Sequence, residues 1–212
     1  MMTMSPSLRR LALTAHVVVS VGWLGAVAGF LALAIFGLTS TEAQTVRAAY
    51  LAMNLIGWAV TVPLCVASLP TGLIMSLGTE WGLVRHYWVV AKLLISVFAT
   101  VLLLVHMQPV GHLARIVATT TLAHGELAGL RFQLVADAGA AMIALLAATV
   151  LSVYKPRGLT GYGVRRVAEG SAGALGVASA SSPATKIAVA TVAVIVLTFI
   201  LLHLSGAGLA SH

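Results

Sequence analysis

Long, nearly unbroken apolar runs constrain the fold of this chain more than any other feature. They extend from Leu11 to Leu38, Ala48 to Leu77, Tyr87 to Met107, Phe132 to Tyr154 and Ile187 to Leu204. A helix of roughly 20 apolar residues crosses a hydrocarbon core of about 30 Å. At that depth backbone N–H and C=O groups find no water, so each run must satisfy them internally, as a helix does. The expected fold is all-α: a multi-pass transmembrane helix bundle of about five spans. Residues 1–157 make a four-helix transmembrane core. Residues 158–183, rich in Gly, Ala and Ser, read as a flexible cytoplasmic linker, and residues 184–212 as a fifth transmembrane helix with a short outer tail.

Composition and charge agree with this reading. Sixty per cent of the residues are hydrophobic and 8% are charged, whereas a soluble domain carries about a quarter charged residues. The net charge of +7 does not indicate nucleic-acid binding, because the basic residues sit between the apolar runs and not on one amphipathic face. The first run continues past Ala26-Val27-Ala28, beyond the roughly 7–15 residues of a signal-peptide core, so it reads as an anchor that stays in the bilayer. With the N-terminus inside, Arg9, Arg10, Arg85, Lys155, Arg157, Arg165, Arg166 and Lys186 are cytoplasmic, and Arg47, Arg115 and Arg131 are outside. That bias predicts an N-in/C-out protein of the cytoplasmic membrane, with the lipid bilayer as its main partner.

Other local signals refine the bundle. Pro109 to Leu130 is expected to lie outside, with Leu113, Ile116 and Val117 on one face of a short interfacial helix. Gly22, Gly25 and Gly29 in the first helix, and Ala138, Gly139, Ala140 and Ala141 in the fourth, are expected to let neighbouring helices approach closely. Pro63 and Pro70 are expected to kink the second helix. Cys65 is the only cysteine, so no intramolecular disulfide forms.

Ionisable groups inside a bilayer are costly and point to function. At 1.5 Å per residue, His16 lies about 8 Å in from the cytoplasmic end of the first helix, and Lys92 lies at a matched depth in the third. Trp23 follows His16 by seven residues and shares its face. A histidine, a lysine and a tryptophan are thus expected around one inner-leaflet pocket. A second level near the outer surface holds His106 at the end of the third helix, Asp137 in the fourth and His203 in the fifth. His112 and His124 are placed in the outer loop. Imidazoles ligate metal or haem iron, and a carboxylate orients them. His86, Tyr87 and Trp88 read as an interface belt. No phosphate-binding loop, nucleophile elbow, paired-cysteine metal site or HExxH motif is present.

Taken together, these residues resemble the HemJ-type protoporphyrinogen oxidases and the related CopD-like four-helix membrane bundles. The first helix reads His16-Val-Val-Val-Ser-Val-Gly-Trp23-Leu-Gly25, similar to the HemJ pattern of a histidine, a tryptophan seven later and a small residue. Pro63 and Gly72, Tyr87-Trp88 with Lys92-Leu93, the distal His106, Arg131-Phe132 and Tyr154-Lys155-Pro156 follow in a similar order over roughly residues 8–157. Leu31-Ala32-Leu33-Ala34 and Leu134-Val135 stand where the family carries basic residues and an Asn-Glu pair, and the fifth helix is additional. The overall look is that of a bacterial multi-pass family that shares the bundle, not that of a true HemJ.

The resemblance implies a haem-b-binding bundle in membrane redox chemistry or electron transfer. His16 is then an axial ligand, Lys92 pairs with a haem propionate, Trp23 lines the pocket, and His106 ligates or gates a second level. A copper-handling protein using His106, Met107 and His112 with His124 is the second expectation, since imidazole and thioether suit copper. A membrane scaffold or accessory subunit without cofactor is the third.

Overall fold

In a computed structural model of the chain, residues 4–78, 83–120, 127–155 and 158–170 are described. Four helices dominate them: α1 (Pro6–Thr39), α2 (Ala43–Leu77), α3 (Tyr87–Thr119) and α4 (Ala128–Tyr154), each long and apolar enough to cross a membrane. A short α5 (Gly161–Gly170) follows. The four long helices form a bundle in which α1 packs on α2 and α4, and α3 packs on the same two helices. Short connections join consecutive helices, so neighbours run antiparallel. The protein is an all-α membrane bundle. The expected fifth span, with His203, and also His124, lie outside the described residues.

Large apolar side chains cover the outside of the bundle: Val17, Val18, Val21, Leu55, Leu94, Val101, Ile143 and Val153 are all exposed. In water such a surface would aggregate; in a bilayer it is the solvated face. Inside, the helices pack most tightly at the end where α1 finishes, through Phe30, Ala34, Tyr50, Met53, Met107, Val110, Leu113 and Leu134. A middle layer contains Trp23, Val27, Cys65 and Leu145. At the other end, called here the basic end for Arg9, Arg10, Lys155 and Arg165, the cluster Trp88, Val89, Ala91, Ile95 and Leu151 joins only α3 and α4.

Several helix boundaries differ from the expectation. α3 does not end near Met107 but continues to Thr119 with Pro109 inside it. The residues expected in an outer interfacial helix therefore extend the bundle: Leu113 and Val117 are buried in the tight core. Proline ends a helix when its ring and missing N–H cannot be accommodated; here burial of Val110, Leu113, Ala114 and Val117 beyond it holds the helix together. The glycine expectation holds at Gly22, where a Cβ would come within 3.3 Å of Leu64, and changes elsewhere. Gly25, Gly29 and Gly139 have no neighbour where a Cβ would stand, while Gly37 lies against the Tyr50 ring, Gly57 against Met107 and Gly72 against His16.

Before Pro63, α2 widens into one π-helical turn, Gly57–Thr61. A proline ring clashes with the carbonyl four residues back, and the wider turn moves that carbonyl away. The Thr61 hydroxyl donates to the Ile56 carbonyl at 3.2 Å, which satisfies one group released by the irregularity. Around Pro70, hydroxyls again serve the backbone: Ser68 donates to the Cys65 carbonyl and Thr71 to that of Ala67, both at 2.8 Å.

Residues 158–170, the first part of the segment expected as a linker, attach to the start of α3. Leu159 bridges His86, and the Thr160 amide donates to the Arg85 carbonyl at 3.0 Å. At the far end, two arginines bind the C-terminal turns of neighbouring helices. Arg47 donates from α2 to the Ala118 carbonyl of α3 at 2.9 Å. Arg131 reaches from α4 to the Gly37 carbonyl of α1 and to the Tyr50 hydroxyl, the latter at 3.0 Å. The last carbonyls of a helix have no partner within it and carry its negative end, so a cation from the next helix is a cap. α1 and α3 have no basic residue of their own in the last turn.

Candidate functional site

The loose packing at the basic end leaves a cavity of about 550 Å³ between the helices. Its inner walls carry short hydroxylic side chains where the tight end has Phe, Met and Leu: Ser20, Ser68, Ser96, Thr149 and Ser152 face it. His16, Trp23 and Lys92 line this one cavity, together with Arg9, Trp88 and Lys155. No carboxylate lines it among the described residues. Ligand cavities typically measure about 300–1,000 Å³, so the space takes a cofactor-sized molecule. Its charge suits an anionic one: cations gathered on a cavity wall that carries no carboxylate among the described residues attract negative groups.

His16 is held by its neighbours. Its Nδ1 lies 3.1 Å from the Thr71 hydroxyl, and its ring rests on Gly72, where a Cβ would come within 3.2 Å of Cε1. The single hydroxyl proton of Thr71 is engaged by the backbone carbonyls of Ala67 and Ser68, at 2.8 and 3.1 Å. When the hydroxyl donates to the nearer Ala67 carbonyl, it accepts from His16 and the imidazole proton is on Nδ1. In that tautomer Nε2 keeps its lone pair and is the nitrogen left to coordinate a metal. Lys92 Nζ stands 5.9 Å from the centre of the Trp88 ring. Arg9 lies in the first turn of α1 and Lys155 follows α4, so the cations come from three helices around the cavity.

His106 is elsewhere. It is buried within α3 and faces Asp137 of α4, with Nδ1 3.0 Å from Oδ2. The pair lines a separate cavity of about 70 Å³ with Trp23, Val27, Phe30 and Thr61. Among the described residues, Trp23 is the one side chain that lines both cavities. The sequence reading placed His106 at a helix end near the surface; the continuation of α3 puts it in the interior. The candidate copper ligands are not gathered: His106 and Met107 are buried, while His112 is exposed on the helix and not in a loop. Among the described residues no three His, Cys, Asp or Glu side chains form a group that could hold a metal ion.

Thr71, Ser20, Ser68, Ser96 and Ser152 were not singled out from the sequence. Hydroxylic residues in membrane helices also serve their own backbone, so only the convergence of the serines on the cavity and the contact of Thr71 with His16 distinguish them. No protein-family model, curated protein or solved structure matches the chain.

Proposed function

We propose that this chain is a haem-b-binding protein of the cytoplasmic membrane that serves redox chemistry or electron transfer. The observation that carries the reading is His16, its Nδ1 held by Thr71, on the wall of a 550 Å³ cavity that also presents Arg9, Lys92 and Lys155 and no carboxylate among the described residues. A haem has the complementary pattern: an iron for one imidazole, an apolar macrocycle for Trp23, Trp88 and Leu145, and two carboxylates for cations. The reading uses His16 as the single protein ligand. When bound, the cofactor would supply one-electron chemistry.

The chain's own residues account for the rest. Thr71 and Gly72 hold the imidazole in one orientation. Lys92 and Lys155 offer charge to propionates, and the lysine stems continue the apolar wall. The resemblance to HemJ-type bundles supports the same assignment through His16, Trp23 and Lys92.

The test is the visible absorption spectrum of the full-length protein, expressed with ample haem and purified in detergent, oxidised and reduced. A Soret band that shifts on reduction and is lost in His16→Ala is the expected result. Wild-type protein without Soret absorbance overturns the proposal.

A further inference from the structure

The large cavity is not closed on all sides. α1 and α4 share the middle cluster, through Trp23, Val27 and Leu145, and the tight-end cluster, through Phe30, Ala34 and Leu134. At the basic end α1 contributes nothing to the apolar cluster, which joins α3 to α4 alone. The side chains that border the cavity there are wall and outer surface at once. Leu13, Val17 and Val21 of α1 line it and are exposed, Val21 at 62%. Opposite them on α4, Thr149 and Val153 line it and are exposed, Val153 at 71%. The cavity therefore opens sideways, through a seam between α1 and α4 that faces the bilayer.

Along its length the seam has the pattern of an amphiphile. Arg9, Leu13, Val17 and Val21 follow one another at intervals of four and form one row on α1. The three apolar members span about 12 Å of helix at 1.5 Å per residue, against about 15 Å for one leaflet of the hydrocarbon core. Arg9 stands one turn beyond them, and Lys155 closes the same end of α4 after Val153 and Tyr154. Tyr154 is 78% exposed and marks the interfacial level, where tyrosine is enriched. Two cations thus sit at headgroup level beside an apolar cleft about one leaflet deep. No carboxylate lines the cavity among the described residues. Basic pockets between transmembrane helices bind anionic lipid headgroups.

The chain offers one rival occupant, the apolar run Ile187–Leu204. Residues 171–212 contain no Asp or Glu, and Lys186 directly precedes the run. That segment would bring apolar surface and a further cation to the seam but no anion. A phospholipid supplies the anion and the apolar chain together.

We propose that the seam between α1 and α4 is a binding site for an anionic membrane phospholipid. Its phosphate lies between Arg9 and Lys155, and one acyl chain lies along Leu13, Val17, Val21 and Val153. The bound chain supplies the wall that the helices leave open. The site lies at the mouth of the cavity and holds whatever fills the interior; His16, held against α2 by Thr71, takes no part in it.

Native mass spectrometry of the full chain, released from detergent micelles that contain either dioleoyl phosphatidylglycerol or dioleoyl phosphatidylcholine, tests this. The two probes share their tails and differ in headgroup charge. The expected result is that the wild type retains phosphatidylglycerol through collisional activation several-fold more than phosphatidylcholine. In the double variant Arg9→Gln, Lys155→Asn that preference should vanish; asparagine tolerates the φ of 42° at Lys155. Arg115→Gln, near the opposite end of the bundle, should leave it unchanged. Val17→Trp keeps both cations and fills the seam, so retention of phosphatidylglycerol should fall several-fold while circular dichroism shows an intact helical fold. Equal retention of the two lipids by the wild type overturns the site and leaves the seam to the fifth apolar run. A preference that survives loss of both cations overturns the headgroup contact, and full retention in Val17→Trp overturns the place of the tail. A retained haem adds its own mass in the same spectrum, so the lipid site and the haem reading stand or fall separately.

Discussion

Replacing Arg131 by methionine removes a charge from the interior yet should destabilise the protein. The side chain is 3% exposed and has no carboxylate partner among the described residues. Its Nε donates to the Tyr50 hydroxyl at 3.0 Å, and its Nη2 to the Gly37 carbonyl. A hydrogen bond from a charged donor contributes about 1.5–3 kcal/mol, so the two give a gross stabilisation of about 3–6 kcal/mol. Desolvation of the guanidinium offsets part of this, since ion burial is expensive. Methionine restores the apolar volume but leaves a buried phenol and the last carbonyls of α1 without donors. The net loss should be about 2–4 kcal/mol. Tyr50→Phe, which removes one of the two contacts, should cost about 1–2 kcal/mol. The two residues touch, so the double variant should fall short of additivity by about 1 kcal/mol or more. Lysine should not rescue the site, because its single ammonium cannot serve the phenol and the helix end with a planar fork. Equilibrium unfolding in mixed micelles, followed by circular dichroism, measures all four variants. A cost below about 1 kcal/mol for Arg131→Met, or full additivity with Tyr50→Phe, would refute the cap.

Gly37→Ala should be strongly destabilising, because the new Cβ would stand 2.7 Å from Tyr50 Cζ in a fully buried ring, whereas Gly25→Ala should be tolerated because nothing lies within 4 Å; thermal unfolding of the two variants in detergent reads the difference, and equal midpoints contradict it. Lys92→Met should leave the bundle folded and weaken haem retention without abolishing it, since Arg9 and Lys155 remain; titration of haem into the purified variant measures this, and unchanged affinity removes Lys92 from the site. Gly72→Val should disturb haem binding through the His16 ring that it would crowd, which a changed Soret position would register. Reporter fusions at Ser40, Gly78 and Ala118 should read outside, inside and outside if the charge bias sets the orientation, and a cytoplasmic signal at Ser40 would reverse the topology.

The membrane class of this protein and its four described spans were legible in the chain without tertiary information. Length and apolarity determine them, because hydrocarbon leaves the backbone no partner outside its own helix. His16, Lys92 and Trp23 were legible for the same reason: a polar group at membrane depth is conspicuous against apolar neighbours, and a spacing of seven puts two side chains on one face. Residue pattern along one helix does not contain what a second helix brings to it. Hence Gly25 and Gly29 looked like packing glycines yet border open space, while Gly37 and Gly72 earn their close contacts from Tyr50 and His16 on other helices. Pro109 looked like a terminus because its cost is local; the burial of Leu113 and Val117 that outweighs it is supplied by the bundle. The outer arginines looked like exceptions to the charge bias, but Arg47 and Arg131 are drawn to the negative ends of α3 and α1. Only the packing of four helices could separate His106 from His16, pair it with Asp137 and place Trp23 between the two cavities, because each of those relations joins residues on different spans.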